Sequence, residues 1–194
     1  MNFDTIFIIG PQGSGKGTQA RLLAEKHNLF YWEMGKVLRD LAQEQTPLGK
    51  QVNELINSGV LLNDDLLLRV VKDRMDVIPV DQGVIFDGVP RRIGQAEFLM
   101  SLLREQGRKN LITLFIDLPH EESLNRLLLR AEKEGRQDDT KEAIEYRLQQ
   151  YKQDTIPVLD YLRQNTNFIT IDGKPRVEQV TAAIDDALKE YGTT

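Results

Sequence analysis

Residues 10–18, Gly-Pro-Gln-Gly-Ser-Gly-Lys-Gly-Thr, have the composition and spacing of a phosphate-binding loop. The glycines let the backbone curl until successive N–H groups point at one polyphosphate, and the N-terminus of the following helix adds positive charge. Lys16 would bring a mobile cation to the outer phosphates. A flexible glycine-rich turn is the alternative, but it does not explain two glycines and a lysine at the spacing of the motif.

One position in this loop departs from the general pattern. Gly17 stands where that pattern has a serine or threonine to hold Mg²⁺, and Thr18 follows it. Most GTPases and ATPase motors with this loop use that hydroxyl. The Lys-Gly-Thr order therefore favours small kinases, in which water and other carboxylates share the metal.

Asp87 is the first candidate for such a carboxylate. It follows a predicted strand and opens the sequence Asp-Gly-Val-Pro-Arg, which ends at Arg91. A carboxylate at a strand end beside a phosphate loop suits the coordination shell of Mg²⁺. Taken alone, an Asp-Gly pair would indicate only a turn.

Arginines are the other side chains suited to binding phosphate. Arg126 and Arg130 lie one helical turn apart, where two like charges repel unless an anion lies between them. Glu122 and Glu134 are each four residues from one of them and would form surface pairs worth about 0.2 to 0.5 kcal/mol, so the spacing leaves both interpretations open. The remaining candidates are Arg39, Arg91, Arg147 and Arg136, the last a possible anion clamp in a polar turn.

Strand-like runs alternate with helical patterns along the chain. The predicted strands are Phe3 to Ile9, Phe30 to Trp32, Gly83 to Phe86, Leu111 to Ile116 and Phe168 to Ile171. This alternation predicts an α/β fold with a parallel sheet covered on both faces. Ligands of such sheets bind beyond the carboxyl ends of the strands, where we expect the loop, Asp87 and Asp117 to converge.

Two segments do not fit the alternation, and we expect both to be mobile flaps. Residues 34–57 have a helical pattern broken before Pro47, lack a strand partner and should stand away from the core. Residues 131–138 form a short polar connection between two helices. Asp139 has the spacing of an N-cap for the next helix, which Pro157 should kink.

The bulk composition limits the classes of function. With 194 residues, 40% hydrophobic and 28% charged, the chain can form one main domain, and its net charge of −5 offers no basic stripe for nucleic acid or an anionic membrane. It has no cysteine for disulfides or zinc ligation and no run near the ~18 apolar residues of a membrane span. We therefore expect a cytoplasmic monomer whose partners are small anions.

From Thr5 to about Val180 the chain resembles the adenylate kinase family of nucleoside monophosphate kinases. The matching pieces, in family order, are the loop, the Gly35 to Arg39 segment, Asp87 to Arg91 with Gln95, Arg126 with Arg130, residues 135–139, Arg147, and Asp172-Gly173. The resemblance implies a three-layer P-loop nucleoside kinase fold over residues 1–194, with a five-stranded parallel sheet flanked by helices. It also implies a helical monophosphate-binding flap at 33–62 and a short lid at 131–138.

The reaction implied by the resemblance is reversible transfer of the γ-phosphoryl group of MgATP to AMP, which gives two ADP. The catalytic residues would be Lys16, Asp87, Arg91, Arg130, Arg136 and Arg147, with Asp87 reaching Mg²⁺ through water and no residue binding the metal directly. ATP would contact Gly13, Ser14, Gly15, Lys16, Gly17, Thr18, Arg126, Arg130 and Lys174. AMP would contact Met34, Gly35, Arg39, Leu62, Gly88, Arg91, Gln95, Arg136 and Arg147.

The monophosphate pocket departs from the family pattern. Glu33-Met34-Gly35-Lys36 stands where the family usually has Ser-Thr-Gly-Asp, so Met34 replaces a hydroxyl and Lys36 replaces a carboxylate. Gln95 favours AMP as the acceptor because its amide can pair with an adenine edge, and another nucleoside monophosphate is the alternative. Two further alternatives are a kinase for small-molecule hydroxyls, with Asp87 as base, and a nucleotide-binding regulator without turnover.

Overall fold

The computed structural model describes residues 4–57, 63–134 and 140–191, and one parallel sheet forms its centre. Its five strands are β1 (Thr5–Ile9), β2 (Phe30–Glu33), β3 (Val84–Asp87), β4 (Leu111–Asp117) and β5 (Asn167–Asp172). Their order across the sheet is β2-β3-β1-β4-β5. Each strand coincides with a predicted one to within two residues, because runs of β-branched and aromatic residues bounded by polar ones favour strands.

Helices fill the segments between the strands. They are α1 (Lys16–His27), α2 (Met34–Ala42), α3 (Pro47–Asn57), α4 (Asp64–Met75), α5 (Ile93–Glu105), α6 (His120–Glu134), α7 (Lys141–Gln150), α8 (Ile156–Asn165) and α9 (Val177–Tyr191). Among the described helices, we found none with the length and apolar character needed to cross a bilayer. Neighbouring parallel strands have to be joined by crossover connections, which these helices provide. The predicted α/β class is therefore confirmed.

The sheet is buried on both faces, as predicted. Successive side chains of a strand point to opposite faces, and β1 shows the result. Ile6 and Ile8 join a buried cluster with α1 and α9, whereas Phe7 and Ile9 join a second cluster with α4, α5 and α8. The ring of Phe7 stacks on that of Phe86, with centroids 5.5 Å apart. These two cores hold the carboxyl ends of β1 and β3 side by side.

The segment 34–57 folds as the two helices α2 and α3, with the predicted break before Pro47. It does not stand away from the core as we expected. Leu41 and Val52 are buried and belong to the same apolar cluster as Phe86. The apolar sides of the two helices therefore contribute to the central packing, although the segment has no strand.

The chain from α7 to α8 differs from the sequence prediction in two details. The N-cap of α7 is Thr140, whose hydroxyl accepts a hydrogen bond from the Ala143 N–H at 3.2 Å. The predicted cap at Asp139 is therefore wrong by one residue, because Thr140 is itself a good cap. A π-helical turn, Tyr151–Thr155, ends two residues before Pro157. Proline has no N–H for the regular helical ladder, so the irregularity falls where we predicted a kink.

Arg108 ties together the loops at the amino edge of the sheet. Its side chain is almost fully buried. Nη1 donates to the carbonyls of Asp4 (2.9 Å) and Gln82 (2.8 Å), and Nη2 donates to the carbonyl of Pro79 (3.0 Å). These carbonyls lie before β1 and β3, so a single buried guanidinium satisfies three backbone acceptors from two loops.

We predict that Arg108→Met lowers the free energy of unfolding by about 3 kcal/mol, because three charge-assisted hydrogen bonds from a buried guanidinium are lost. Urea denaturation followed by circular dichroism measures this change. Arg104→Met is the matched control, since Arg104 is an exposed arginine on α5. Equal stability of the two variants would contradict the role given to Arg108.

Candidate active site

The loop at the carboxyl end of β1 has the backbone geometry of an anion cradle. Gly13 and Gly15 have φ angles of 84° and 86°, which side chains other than glycine rarely adopt. The loop closes with a hydrogen bond from the Ser14 N–H to the Pro11 carbonyl at 3.2 Å. Helix α1 then begins at Lys16. The Thr18 and Gln19 N–H groups donate to the Gly15 carbonyl at 3.0 and 3.1 Å, so the N–H groups before them are the first-turn donors suited to an anion.

Lys16 brings together several of the predicted site residues. Its ammonium lies 3.3 Å from the Pro11 carbonyl, and the charges of Asp87, Arg91 and Arg130 all act on it. Removal from water lowers the pKa of Lys16, and Asp87 opposes that change by favouring the charged ammonium. One carboxylate and three cations thus share the space beside the loop.

Asp87 ends β3, and its carboxylate is nearly buried. Burial raises the pKa of Asp87, while Lys16 and a hydrogen bond from Tyr31 lower it. The Tyr31 hydroxyl donates to Oδ2 at 3.1 Å. Sequence analysis missed Tyr31, because the contact depends on β2 lying next to β3. Side chains alternate between the two faces of a strand. If β2 had been known to pair with β3, this alternation would have placed Tyr31 on the same face as Asp87.

The space beside Gly17 is occupied by the same pair of side chains. A Cβ added to Gly17 would lie 3.1 Å from Oδ2 of Asp87 and 3.8 Å from the Tyr31 hydroxyl. A serine or threonine here would crowd the carboxylate. Asp87 and Tyr31 therefore lie where the general loop pattern has its hydroxyl.

The carboxylates near the loop fit a hydrated Mg²⁺ better than a metal enclosed by protein. Within residues 4–57, 63–134 and 140–191, no group of three or more His, Cys, Asp or Glu side chains is placed to hold a metal. Mg²⁺ keeps several waters and commonly binds one or two carboxylates together with substrate phosphates. Asp87, facing the phosphate loop, matches that preference.

Met34, the first residue of α2, lies beside Gly88 and Arg91, which follow β3. A Cβ on Gly88, which has a φ of 90°, would lie 3.4 Å from Nη2 of Arg91 and 3.5 Å from Cβ of Met34. The Arg91 Nε donates to the Gly88 carbonyl at 2.9 Å. Met34 is buried, and its sulfur accepts a hydrogen bond from the Trp32 indole at 3.3 Å. The sulfur of Met34 thus accepts a hydrogen bond from the Trp32 indole, and a threonine has no sulfur to offer at this place.

Glu33 and Arg39 form an ion pair at 3.2 Å. Gly35 lies beneath it, since a Cβ there would lie 3.1 Å from Nη1 of Arg39. The other oxygen of Glu33 lies 3.4 Å from the Tyr31 hydroxyl, so Glu33 connects Arg39 with the pair of Tyr31 and Asp87. Both charges of the ion pair come from residues that the sequence places near the monophosphate.

Gln95 lies in the first turn of α5 and is 4% exposed. Its carbonyl oxygen accepts a hydrogen bond from the Arg91 N–H at 2.8 Å. Its amide nitrogen donates to Oδ1 of Asp64 at 2.7 Å. Each amide atom keeps one further hydrogen-bonding position. Sequence analysis found Gln95 but missed Asp64, which comes from a different helix.

Arg126 connects α6 with the segment after β5. Its guanidinium donates to Glu122 at 2.9 Å and to the carbonyls of Gly173 (2.9 Å) and Lys174 (2.8 Å). The expected surface pair with Glu122 is therefore present, and Arg126 and Lys174 are also neighbours. Arg130, one turn further along α6, faces the charge of Lys16.

The remaining predicted positions are less closely connected to the loop. Arg147 lies on α7, where its Nε donates to the Ala143 carbonyl at 3.2 Å. Asp117 ends β4 with an exposed side chain, and its backbone carbonyl accepts a hydrogen bond from Gly173 at 2.8 Å. It shares the sheet edge with the loop, but Asp87 is the carboxylate that acts on Lys16. Leu62 and Arg136 lie outside the described residues.

We predict that Asp87→Asn lowers the pKa of the Lys16 ammonium further, because Asp87 is the charge that raises it against burial. The protein should then lose this charge at a lower pH than the wild type. An NMR titration of ¹³C-labelled lysine side chains measures the shift. Asp117→Asn is the control, since Asp117 also ends a strand at this edge. A Lys16 titration unchanged by Asp87→Asn would rule out the coupling.

The chain is similar in sequence to known proteins. A sequence model of the family described as "Adenylate kinase" matches residues 8–167. The adenylate kinase of a Cyanothece species is 40% identical over 179 residues, which cover 92% of this chain and 92% of the relative. That of Thermus thermophilus is 38% identical over 183 residues (94% and 96%), and that of Phocaeicola vulgatus is 37% identical over 185 residues (95% and 98%). The similarity includes the elements that build the cleft.

Proposed function

The chain belongs to the adenylate kinase family, and we propose that the cleft around Lys16, Asp87 and Arg91 carries out the family's reaction. The enzyme transfers the γ-phosphoryl group of ATP to AMP and produces two ADP. The observation that carries the assignment of the site is the meeting of three cations and one carboxylate at the mouth of a phosphate loop. Polyphosphate is the small-molecule ligand that such a concentration of positive charge suits best.

The reaction needs no general base, because the phosphate of AMP is already an anionic nucleophile. One of its oxygens forms a bond to the γ-phosphorus while the bond from the γ-phosphorus to the bridging oxygen breaks, and the electron pair leaves with ADP. The protein has to align the two nucleotides, neutralise charge and exclude water. In this proposal Lys16 and the arginines at positions 91, 130, 136 and 147 surround the transferred group.

Asp87 is proposed to hold hydrated Mg²⁺ through water. Mg²⁺ would supply charge neutralisation on the ATP phosphates. The fit rests on one nearly buried carboxylate beside the loop and on Gly17, whose lack of a side chain lets that carboxylate lie against the loop. Tyr31 orients this carboxylate with its hydrogen bond. The ATP base and phosphates would lie along Arg126, Arg130, Lys174 and the loop residues Gly13 to Thr18.

AMP is proposed to lie between α2 and the segment after β3. Arg39 and Arg91 would bind its phosphate, and Gln95 would bind its base, with Met34, Gly35, Leu62 and Gly88 lining the pocket. The phosphate must then compete with Glu33 for the guanidinium of Arg39. Closure of the flap at 33–62 over AMP and of the lid at 131–138 over ATP would keep water from the phosphoryl group.

A panel of acceptors tests this proposal directly. ADP formation from ATP is followed with AMP, CMP, UMP and GMP, and with sugars and carboxylic acids. Turnover with AMP is expected. Turnover that requires a sugar or acid would indicate a hydroxyl kinase, and nucleotide binding without turnover would indicate a regulator.

The proposed enzyme is a monomer, which is an expectation from the sequence. Lys16 begins the helix after β1, and Asp87 and Arg91 lie at and after the end of β3, the strand that pairs with β1. Sedimentation equilibrium with and without nucleotides measures the oligomeric state. A cytoplasmic location stays a prediction from the sequence.

We predict that Lys16→Ala lowers kcat by about 100-fold or more while the fold persists, because one preorganised cation is lost from the transferring group. Steady-state kinetics with ATP and AMP measures the loss, and circular dichroism checks the fold. Lys26→Ala is the control, since Lys26 lies in the last turn of the same helix and pairs with Asp185. Unchanged turnover would remove Lys16 from the mechanism.

We predict that Gln95→Leu reduces the preference for AMP over GMP by about tenfold, because the apolar side chain cannot distinguish the hydrogen-bonding edges of the two bases. The measurement is the ratio of kcat/KM values for the two acceptors. Glu97→Ala, an exposed change on the same helix, should leave the ratio as it is. An unaltered preference in Gln95→Leu would show that another group binds the base.

A further inference from the structure

The side-chain amide of Gln95 is held at both ends by groups of opposite hydrogen-bonding character. The Arg91 N–H can only donate, and it lies 2.8 Å from Oε1. The Asp64 carboxylate can only accept when ionised, and its Oδ1 lies 2.7 Å from Nε2. Asp64 is the first residue of α4, directly after the cap Asn63, whose side chain accepts a hydrogen bond from Leu66.

Only one of the two flipped orientations of this amide satisfies both partners. The reverse orientation would bring Oε1 of Gln95 against the Asp64 carboxylate and Nε2 against the Arg91 N–H. Two acceptors would then face each other at one end and two donors at the other. Both ends of the amide would then lose their hydrogen bonds, so the amide is fixed in one orientation.

Asp64 is itself held in place by Arg92. The Arg92 Nη1 donates to the same Oδ1 at 3.2 Å, and its Nε lies 3.6 Å from Asp154 in the π-helical turn. That turn also contacts the backbone next to Gln95, since the Thr155 hydroxyl donates to the Arg91 carbonyl at 3.3 Å. The carboxylate therefore joins the start of α4, the start of α5 and the π-helical turn.

We propose that Asp64 is a positioning residue that sets the hydrogen-bonding polarity Gln95 presents to the acceptor base. This inference rests on the proposed function, in which Gln95 binds that base. With the amide fixed, its free carbonyl position accepts and its free N–H donates. A base with an amino group beside an unprotonated ring nitrogen matches this arrangement, whereas a base with a carbonyl beside a ring N–H opposes it.

In this proposal the acceptor base is selected by its hydrogen-bonding edge and not by the size of its ring system. Adenine and cytosine have the matching edge, and hypoxanthine, guanine and uracil have the opposing one. AMP and IMP have the same purine skeleton and differ in this edge, as CMP and UMP do among pyrimidines. The fixed amide thus favours AMP over IMP and CMP over UMP.

Wild-type kinetics provides the first test, because it needs no variant to fold. The kcat/KM ratios of AMP to IMP and of CMP to UMP should both exceed about tenfold, the discrimination expected from one mispaired hydrogen bond or more. A ratio near one or below for either pair would overturn the proposal, since ring size cancels within each pair.

Variants of Asp64 provide the second test. Asp64→Ala removes the acceptor that fixes Nε2 and should lower the ratio of AMP to IMP by about tenfold. Asp64→Asn should keep the ratio within about twofold, because its carbonyl oxygen can still accept from Gln95 and Arg92. Asp65→Ala controls for loss of a carboxylate at the N-terminus of α4, since the exposed Asp65 is its neighbour in the same turn.

The outcomes separate this inference from the proposed role of Gln95. Loss of discrimination in Gln95→Leu but not in Asp64→Ala would overturn the role of Asp64 alone. Full discrimination in Gln95→Leu would show that Gln95 does not bind the base, and both proposals about the base would fail. Equal losses in Asp64→Ala and Asp64→Asn would mean that charge, not amide orientation, is responsible, which also overturns the proposal.

Discussion

The electrostatic attraction between Lys16 and Asp87 is the interaction on which the rest of the site depends. Burial lowers the pKa of the ammonium and raises that of the carboxyl, so each charge is costly without the other. The order of the sheet places β1 beside β3, and this puts the loop and the carboxylate at one edge. Arg91 and Arg130 add positive charge that a lone lysine could not provide. The cleft is therefore poised for an anion of high charge.

The strands and the loop could be predicted from the sequence because their signals are local. Alternating or continuous apolar runs define β1 to β5, and the glycines at 13 and 15 have the positive φ angles that the motif requires. The order of the strands has no local signal, so the neighbour of β3 could not be predicted. Tyr31 was missed for that reason. The N-cap of α7 was misplaced because Asp139 and Thr140 are both good caps.

Contacts between distant segments limited what the sequence could say about the site. Gln95 was identified through the family resemblance, but its partner Asp64 belongs to another helix, 31 residues away along the chain. The two helices of segment 34–57 were expected to stand apart because no strand accompanies them, yet Leu41 and Val52 are in the core. For Arg126 the surface pair with Glu122 is present and the side chain also reaches the loop after β5, while its role in binding an anion stays a prediction.

Arg108 lies far from the residues that are proposed to bind the acceptor, so substitutions at the two places can act independently. Its hydrogen bonds connect loops at the amino edge of the sheet. This edge is about one strand length, or roughly 16 Å, from the residues at the carboxyl edge. Effects of substitutions at well-separated sites usually add. Folding and phosphoryl transfer are thus energetically separable in this architecture, and acceptor preference can diverge at one end of the sheet while the other end preserves the scaffold.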